Sequence, residues 1–118
     1  MVESSMAAEP LILRFGDLTI DLDRYRVSLA DRRIILSYRE YALLAYLAGK
    51  SGQAVSKRQL LEEGLGRHDP GGLRVVDEHI RHIKSLLERE GRTFIHANGD
   101  TGYRFEAVGP TTAWSPVT

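Results

Sequence analysis

Between residues 73 and 90 the chain reads LRVVDEHIRHIKSLLERE, and most of its polar members are long donors. At about 100° per residue, Arg74, Glu78, Arg81, His82, Ser85 and Arg89 fall on one face of a helix, with His79 and Lys84 on its flanks. Guanidinium, ammonium and imidazole groups arrayed on a helix face suit contact with phosphates and base edges, because a helix fits the major groove of B-DNA. The face is chemically mixed. Asp77, Glu78, Glu88 and Glu90 offset most of the positive charge, as they do on an ordinary solvated helix.

Other chemistries find less support. His79 and His82 stand three residues apart, a spacing at which two imidazoles can share a metal. No third ligand accompanies them at a suitable spacing, and His68 falls in a loop, so neither a metal nor a cofactor is expected. Ser37 and Ser56 are explained as helix caps. No Ser, His and carboxylate set stands out, so catalysis is not expected. Asp77 reads as a structural partner for a nearby Arg or helix end, and Tyr103 and Phe105 read as core or wing packing.

The donor face needs elements to hold it. On the other side of the same helix, Val76, Ile80, Ile83 and Leu87 follow the i, i+4, i+7, i+11 spacing of a buried stripe, widened by Val75 and Leu86. The helix is expected to run until Gly91. Upstream, Ser37 with Glu40 and Ser56 with Gln59 each form a capping box that opens a helix. The first carries Tyr41, Leu43, Leu44 and Leu47 and is expected to end at Gly49 or, better, at Gly52. The second is short, carries Leu60, Leu61 and Leu65, and stops at Gly64 and Gly66. Its first turn holds Lys57 and Arg58, where the helix dipole disfavours cations and a phosphate would offset the cost. Segments 11–15, 18–22, 25–29 and 33–36 read as a four-stranded antiparallel meander with tight connections. Segments 93–95 and 103–105 read as a β-hairpin turning through 96–102.

The bulk numbers bound the rest. The 118 residues suffice for one domain with one modest core, and 42% hydrophobic with 27% charged residues is ordinary for a soluble protein. No apolar run approaches a membrane span, the N-terminus does not resemble a signal peptide, and there is no cysteine for a disulfide or thiolate site. That suits a cytoplasmic protein. Sixteen basic residues balance sixteen acidic ones, which excludes a strongly basic DNA-coating protein but not a sequence-reading module with a locally basic surface. Residues 1–10 are expected to be a disordered lead, 11–106 the folded domain, and 107–118 a flexible tail in which Trp114 has no obvious partner.

Meander, helix, short helix, loop, amphipathic helix and hairpin, in that order, describe an α+β winged helix-turn-helix. The residues resemble the C-terminal DNA-binding domain of OmpR/PhoB-type response regulators. The resemblance is carried by Leu36-Ser37-Tyr38-Arg39-Glu40-Tyr41-Ala42-Leu43-Leu44, Ser56-Lys57-Arg58-Gln59-Leu60-Leu61, Arg74-Val75-Val76-Asp77-Glu78-His79-Ile80 and Gly102-Tyr103-Arg104-Phe105. The opening run from Leu13 to Ile20 also resembles the family's first hairpin. The match covers roughly residues 11–106.

The resemblance implies sequence-specific binding of double-stranded DNA for transcriptional regulation, with the third helix in the major groove and the wing on the adjacent minor groove. It makes Arg74, Glu78, His79, Arg81, His82 and Lys84 the groove-facing candidates. Ser56, Lys57, Arg58, Arg89 and Arg104 are the phosphate candidates, and Asn98, Gly99, Thr101 and Tyr103 belong to the wing. The loop with Arg67, His68 and Asp69 corresponds to a segment that contacts RNA polymerase in some relatives. Pairing of two copies on DNA repeats is also implied. Three departures stand out. Glu78 occupies a position where relatives often carry a small apolar residue. The wing has Asn98-Gly99-Asp100-Thr101-Gly102, without the usual arginine and with an added acidic residue. The receiver domain usual upstream is missing, which suits either an excised domain or a stand-alone regulator. The zero net charge, Glu78 and Asp100 support a rival reading, a winged helix that binds a polymerase subunit or another regulator instead of DNA.

Overall fold

The structure is a computed structural model that describes residues 11–67, 71–99 and 101–108. Four short strands pair antiparallel in chain order: β1 (Ile12–Phe15), β2 (Leu18–Asp21), β3 (Arg26–Leu29) and β4 (Arg32–Ile34). Alternation in β2 and β3 turns Leu18, Ile20, Val27 and Leu29 to one face, where they pair as Leu18 with Leu29 and Ile20 with Val27 and are buried. The β3–β4 turn places Ala30 (φ 52) and Asp31 (φ 66) both at positive φ, the two-residue turn whose twist matches an antiparallel pair.

Helix α1 (Tyr38–Gly49) starts from the Ser37 capping box, with the Ser37 side chain accepting from the Glu40 amide and the Glu40 carboxylate accepting from the Ser37 amide. It ends at Gly49 with Lys50 as cap, not at Gly52. Gly52 (φ 86) serves a different purpose: its amide donates to the Phe105 carbonyl at 2.9 Å, tying the chain to the wing. The second capping box also forms, opening α2 (Lys57–Gln59), which continues as a π-helical turn through Leu60–Gly64. Leu60 and Leu61 are buried beneath it.

Helix α3 (Gly72–Leu87) buries Val76, Ile80, Ile83 and Leu87, the stripe expected from their spacing. It stops before Gly91. The Glu88 carboxylate takes the amides of Phe94 and Ile95 at 2.8 Å each, and the chain then reverses through Glu90 (φ 57) and Gly91 (φ 83).

The wing is a three-stranded sheet in the order β5-β7-β6, with β5 (Ala54–Ser56), β6 (Thr93–Asn98) and β7 (Gly102–Val108). Strand β5 is an addition to the expected hairpin, and β7 continues two residues past the expected boundary at 106. A Cβ on Gly102 would lie 1.9 Å from the Val55 carbonyl oxygen, so only glycine lets β5 and β7 approach this closely. Both sheets, α1, α3 and the π-helical turn contribute to one core, in which Phe15 meets Phe105 edge-on at 4.7 Å. The expected N-terminal lead and the tail beyond Val108 lie outside the described residues. Among the described residues, no helix is long and apolar enough to cross a membrane.

Candidate nucleic-acid interface

With its apolar stripe held in the core, α3 presents Arg74, Glu78, Arg81, His82 and Ser85 to solvent, and Arg89 just past its end is also exposed. His79 and Lys84 are half-buried on the flanks, as the spacing requires. The expected donor face therefore exists. What the sequence could not display is how many of its side chains already have partners.

Both histidines turn toward α1. His82 Nδ1 makes a short hydrogen bond to Glu40 Oε2, and His79 Nδ1 stands 3.8 Å from the same oxygen. Glu40 is only 7% exposed. Burial pushes its carboxyl up, but the Ser37 amide and His82 together outweigh burial and hold it below the usual value. An ionised carboxylate can only accept, so His82 donates from Nδ1, and no hydrogen bond engages its Nε2 among the described residues.

Asp77 is the second anchor. It accepts from Lys57 Nζ at 3.1 Å and from the Tyr103 hydroxyl at 2.6 Å, joining α3 to the start of α2 and to β7. Burial, and then the hydrogen bond to Asp77, raise the Tyr103 phenol above its ordinary range and keep it a donor. The sequence reading of Asp77 as a structural partner holds, but its partners are Lys57 and Tyr103 and not an arginine. Lys84 is similarly engaged, donating to the Ile95 carbonyl at 2.8 Å beside Glu88 at 3.4 Å. Lys57, Asp77, Ile80, Arg81, Lys84 and Tyr103 line an open cleft of about 370 Å³ between α3 and the wing.

The remaining candidates lie around this frame. Arg58 pairs loosely with Glu62 at 3.5 Å and stays exposed. The Ser56 side chain is occupied by the Gln59 amide. Arg89 Nε folds back toward the Ser85 carbonyl at 3.4 Å. On β7, Arg104 pairs with Glu106 at 3.2 Å, while its buried Nε has no hydrogen-bond partner among the described residues. At the wing tip Asn98, Gly99 and Thr101 are exposed, and Thr101 Oγ1 donates to the Asn98 carbonyl at 3.0 Å. Arg67 is half-buried, whereas His68, Asp69 and Asp100 lie outside the described residues. Glu40 was legible in the sequence only as a cap. The pair of histidines three residues apart was the available signal that a shared acceptor should face them.

Residues 31–105 match the model of the family described as transcriptional regulatory protein, C terminal. The chain belongs to this family, the OmpR/PhoB-type C-terminal DNA-binding domains. These are non-enzymatic transcription factors. The domain is 33% identical over 108 residues to the transcriptional regulatory protein SrrA of Staphylococcus aureus, covering 89% of this chain and 45% of SrrA. It superposes on the response regulator DrrB of Thermotoga maritima, an OmpR/PhoB homolog, with a TM-score of 0.72 at 34% identity, over 80% of this chain and 44% of DrrB. The RstA DNA-binding domain of Klebsiella pneumoniae, solved in complex with the RstA box, superposes with a TM-score of 0.72 at 29% identity, over 80% of this chain and 96% of that one. The chain thus spans about half the length of SrrA and DrrB.

Proposed function

We infer that the domain binds specific double-stranded DNA to regulate transcription, with α3 in the major groove and the wing hairpin on the adjacent minor groove. The observation that carries this reading is the outer face of α3, where Arg74 and Arg81 are exposed and make no hydrogen bond or ion pair among the described residues. Such arginines suit guanine edges and phosphates. A relative of the same fold crystallised on its DNA box supports double-stranded DNA as the ligand.

Arg74, Glu78 and Arg81 then read bases, with His79, His82 Nε2 and Lys84 beside them. Lys57, Arg58, Arg89, Arg104 and the Ser56 hydroxyl, which can still donate, fix the domain on phosphates, while Asn98, Gly99, Thr101 and Tyr103 shape the wing. The loop with Arg67, His68 and Asp69 is the surface for RNA polymerase, and two copies bind side by side on repeated half-sites. The setting is cytoplasmic.

Fluorescence anisotropy of random duplexes at about 50 and 200 mM salt, followed by sequencing of the bound pool, tests this reading. Affinity should fall steeply with salt, and a short repeated motif should emerge. No binding at the lower salt would overturn it in favour of a protein-binding module.

A further inference from the structure

The polar side chains of α3 divide into those the fold occupies and those it leaves open. His79 and His82 face Glu40, Asp77 holds Lys57 and Tyr103, and Lys84 holds the Ile95 carbonyl. Arg74, Glu78 and Arg81 are exposed and have neither a hydrogen bond nor an ion pair among the described residues. Arg81 acts at a distance on the Tyr103 phenol. Arg74 and Glu78 are four residues apart, yet they do not pair with each other. The three side chains follow one line along the helix, rising about 10 Å from first to last, the length of roughly three base-pair steps.

A lone carboxylate in the middle of this line repels phosphate, so a surface meant only to attach to DNA is weakened by it. It becomes useful where it accepts a hydrogen bond. Two bases offer an amino donor in the major groove. On adenine the N6 amino group lies beside the N7 acceptor, which repels a carboxylate. On cytosine the N4 amino group has no such neighbour on its own base, while guanine and thymine turn acceptors toward the groove. Arg74 and Arg81, one helical turn to either side, supply positive potential that lets a carboxylate approach and favour guanine or phosphate themselves.

We propose that Glu78 sets the specificity of this domain by accepting from the N4 amino group of a cytosine near the centre of each half-site, between the contacts of Arg74 and Arg81. This rests on the reading of α3 as the major-groove helix. The half-site therefore carries a fixed C·G pair flanked by arginine contacts.

The test uses the 118-residue chain with duplexes selected by the wild type and by Glu78→Ala. In the selected half-site one C·G pair should be invariant. Replacing that cytosine by N4-methylcytosine, which still pairs with guanine but fills the exposed N–H position with a methyl group, should weaken the wild type roughly tenfold. Glu78→Ala should lose the preference at that pair alone and tolerate the methyl group. Two results overturn the proposal while leaving DNA reading intact: a wild-type motif without a methyl-sensitive cytosine, or a Glu78→Ala protein that binds every duplex more tightly with unchanged base preferences. The second would make Glu78 a simple repelling charge. Absence of salt-sensitive binding by the wild type would instead overturn the DNA-reading function, and the role of Glu78 with it.

Discussion

At the scale of single residues, the distinction that matters on α3 is between donors already engaged and donors still open. Arg81 is open, so Arg81→Ala should cost about 1–3 kcal/mol on the selected duplex and relax the preference for one base pair. Titration of cognate and random duplexes checks this, and an equal loss on both would make Arg81 a phosphate contact. Glu40 belongs to the engaged group, and its chemistry yields a pH dependence with a definite sign. Burial pushes its carboxyl up, but the Ser37 amide and His82 outweigh it and hold the carboxyl below its ordinary value. A carboxyl depressed by folding contributes stability that is present above the unfolded value and is lost as pH falls through the folded one. Chemical denaturation at a series of pH values should therefore show stability falling as pH drops below about 4.5. Asp17 and Asp21 are also depressed and add to the same decline. Glu40→Gln should make that decline shallower, and an unchanged slope would remove Glu40 from its causes. The local sequence does not identify which residues these partners are. Asp77 lies 20 residues from Lys57, Glu40 lies 42 from His82, and Ile95 lies 11 from Lys84. The helical wheel could therefore place the face but not divide it.

At the scale of elements, what was legible follows from periodicity and local capping. The stripe of Val76, Ile80, Ile83 and Leu87 needs only its own spacing, and each capping box closes over four residues. Strand β5 escaped because three residues with one buried side chain, Val55, are too few to show alternation. The end of α3 escaped because it is decided by tertiary contact, the Glu88 carboxylate binding two amides of β6. The same β5 strand gives Gly102 its role. A methyl group there would collide with the Val55 carbonyl and with Ser56 Cα at 2.7 Å, and neither is a flexible side-chain end that could move aside. Gly102→Ala should thus force β5 from β7 and cost about 1–3 kcal/mol, or more if the strands cannot shift. Urea unfolding measures the cost directly. A near-neutral result would mean that β5 is not held against β7 in solution. The lost pairing also carries the contact from the Lys57 amide to the Thr101 carbonyl at 2.9 Å, so the wing tip should shift relative to α2.

At the scale of the whole molecule, the N-terminal sheet and the wing are separate sheets that share one core. Phe105 is fully buried on β7, meets Phe15 of β1 edge-on at 4.7 Å and stacks near Phe94 at 6.0 Å. Its carbonyl also receives the Gly52 amide. A second tie runs along the surface, where Arg92 binds Asp17 of the β1–β2 turn at 2.6 Å and Glu90 at 2.9 Å, fixing the connection after α3 to the first sheet. These links imply that the two sheets unfold together. Phe105→Ala removes the ring that both touch and should cost about 3–5 kcal/mol, a large share of the roughly 5–15 kcal/mol typical of a domain. Hydrogen exchange of the β2 and β7 amides separates joint from independent loss. If the sheets form one cooperative unit, the most protected amides of both strands should fall by the same amount in the variant. Protection lost in β7 but kept at the wild-type level in β2 would show instead that the wing opens on its own. The position of α3 in the domain would then depend on α1 and the Glu40–His82 contact more than on the wing.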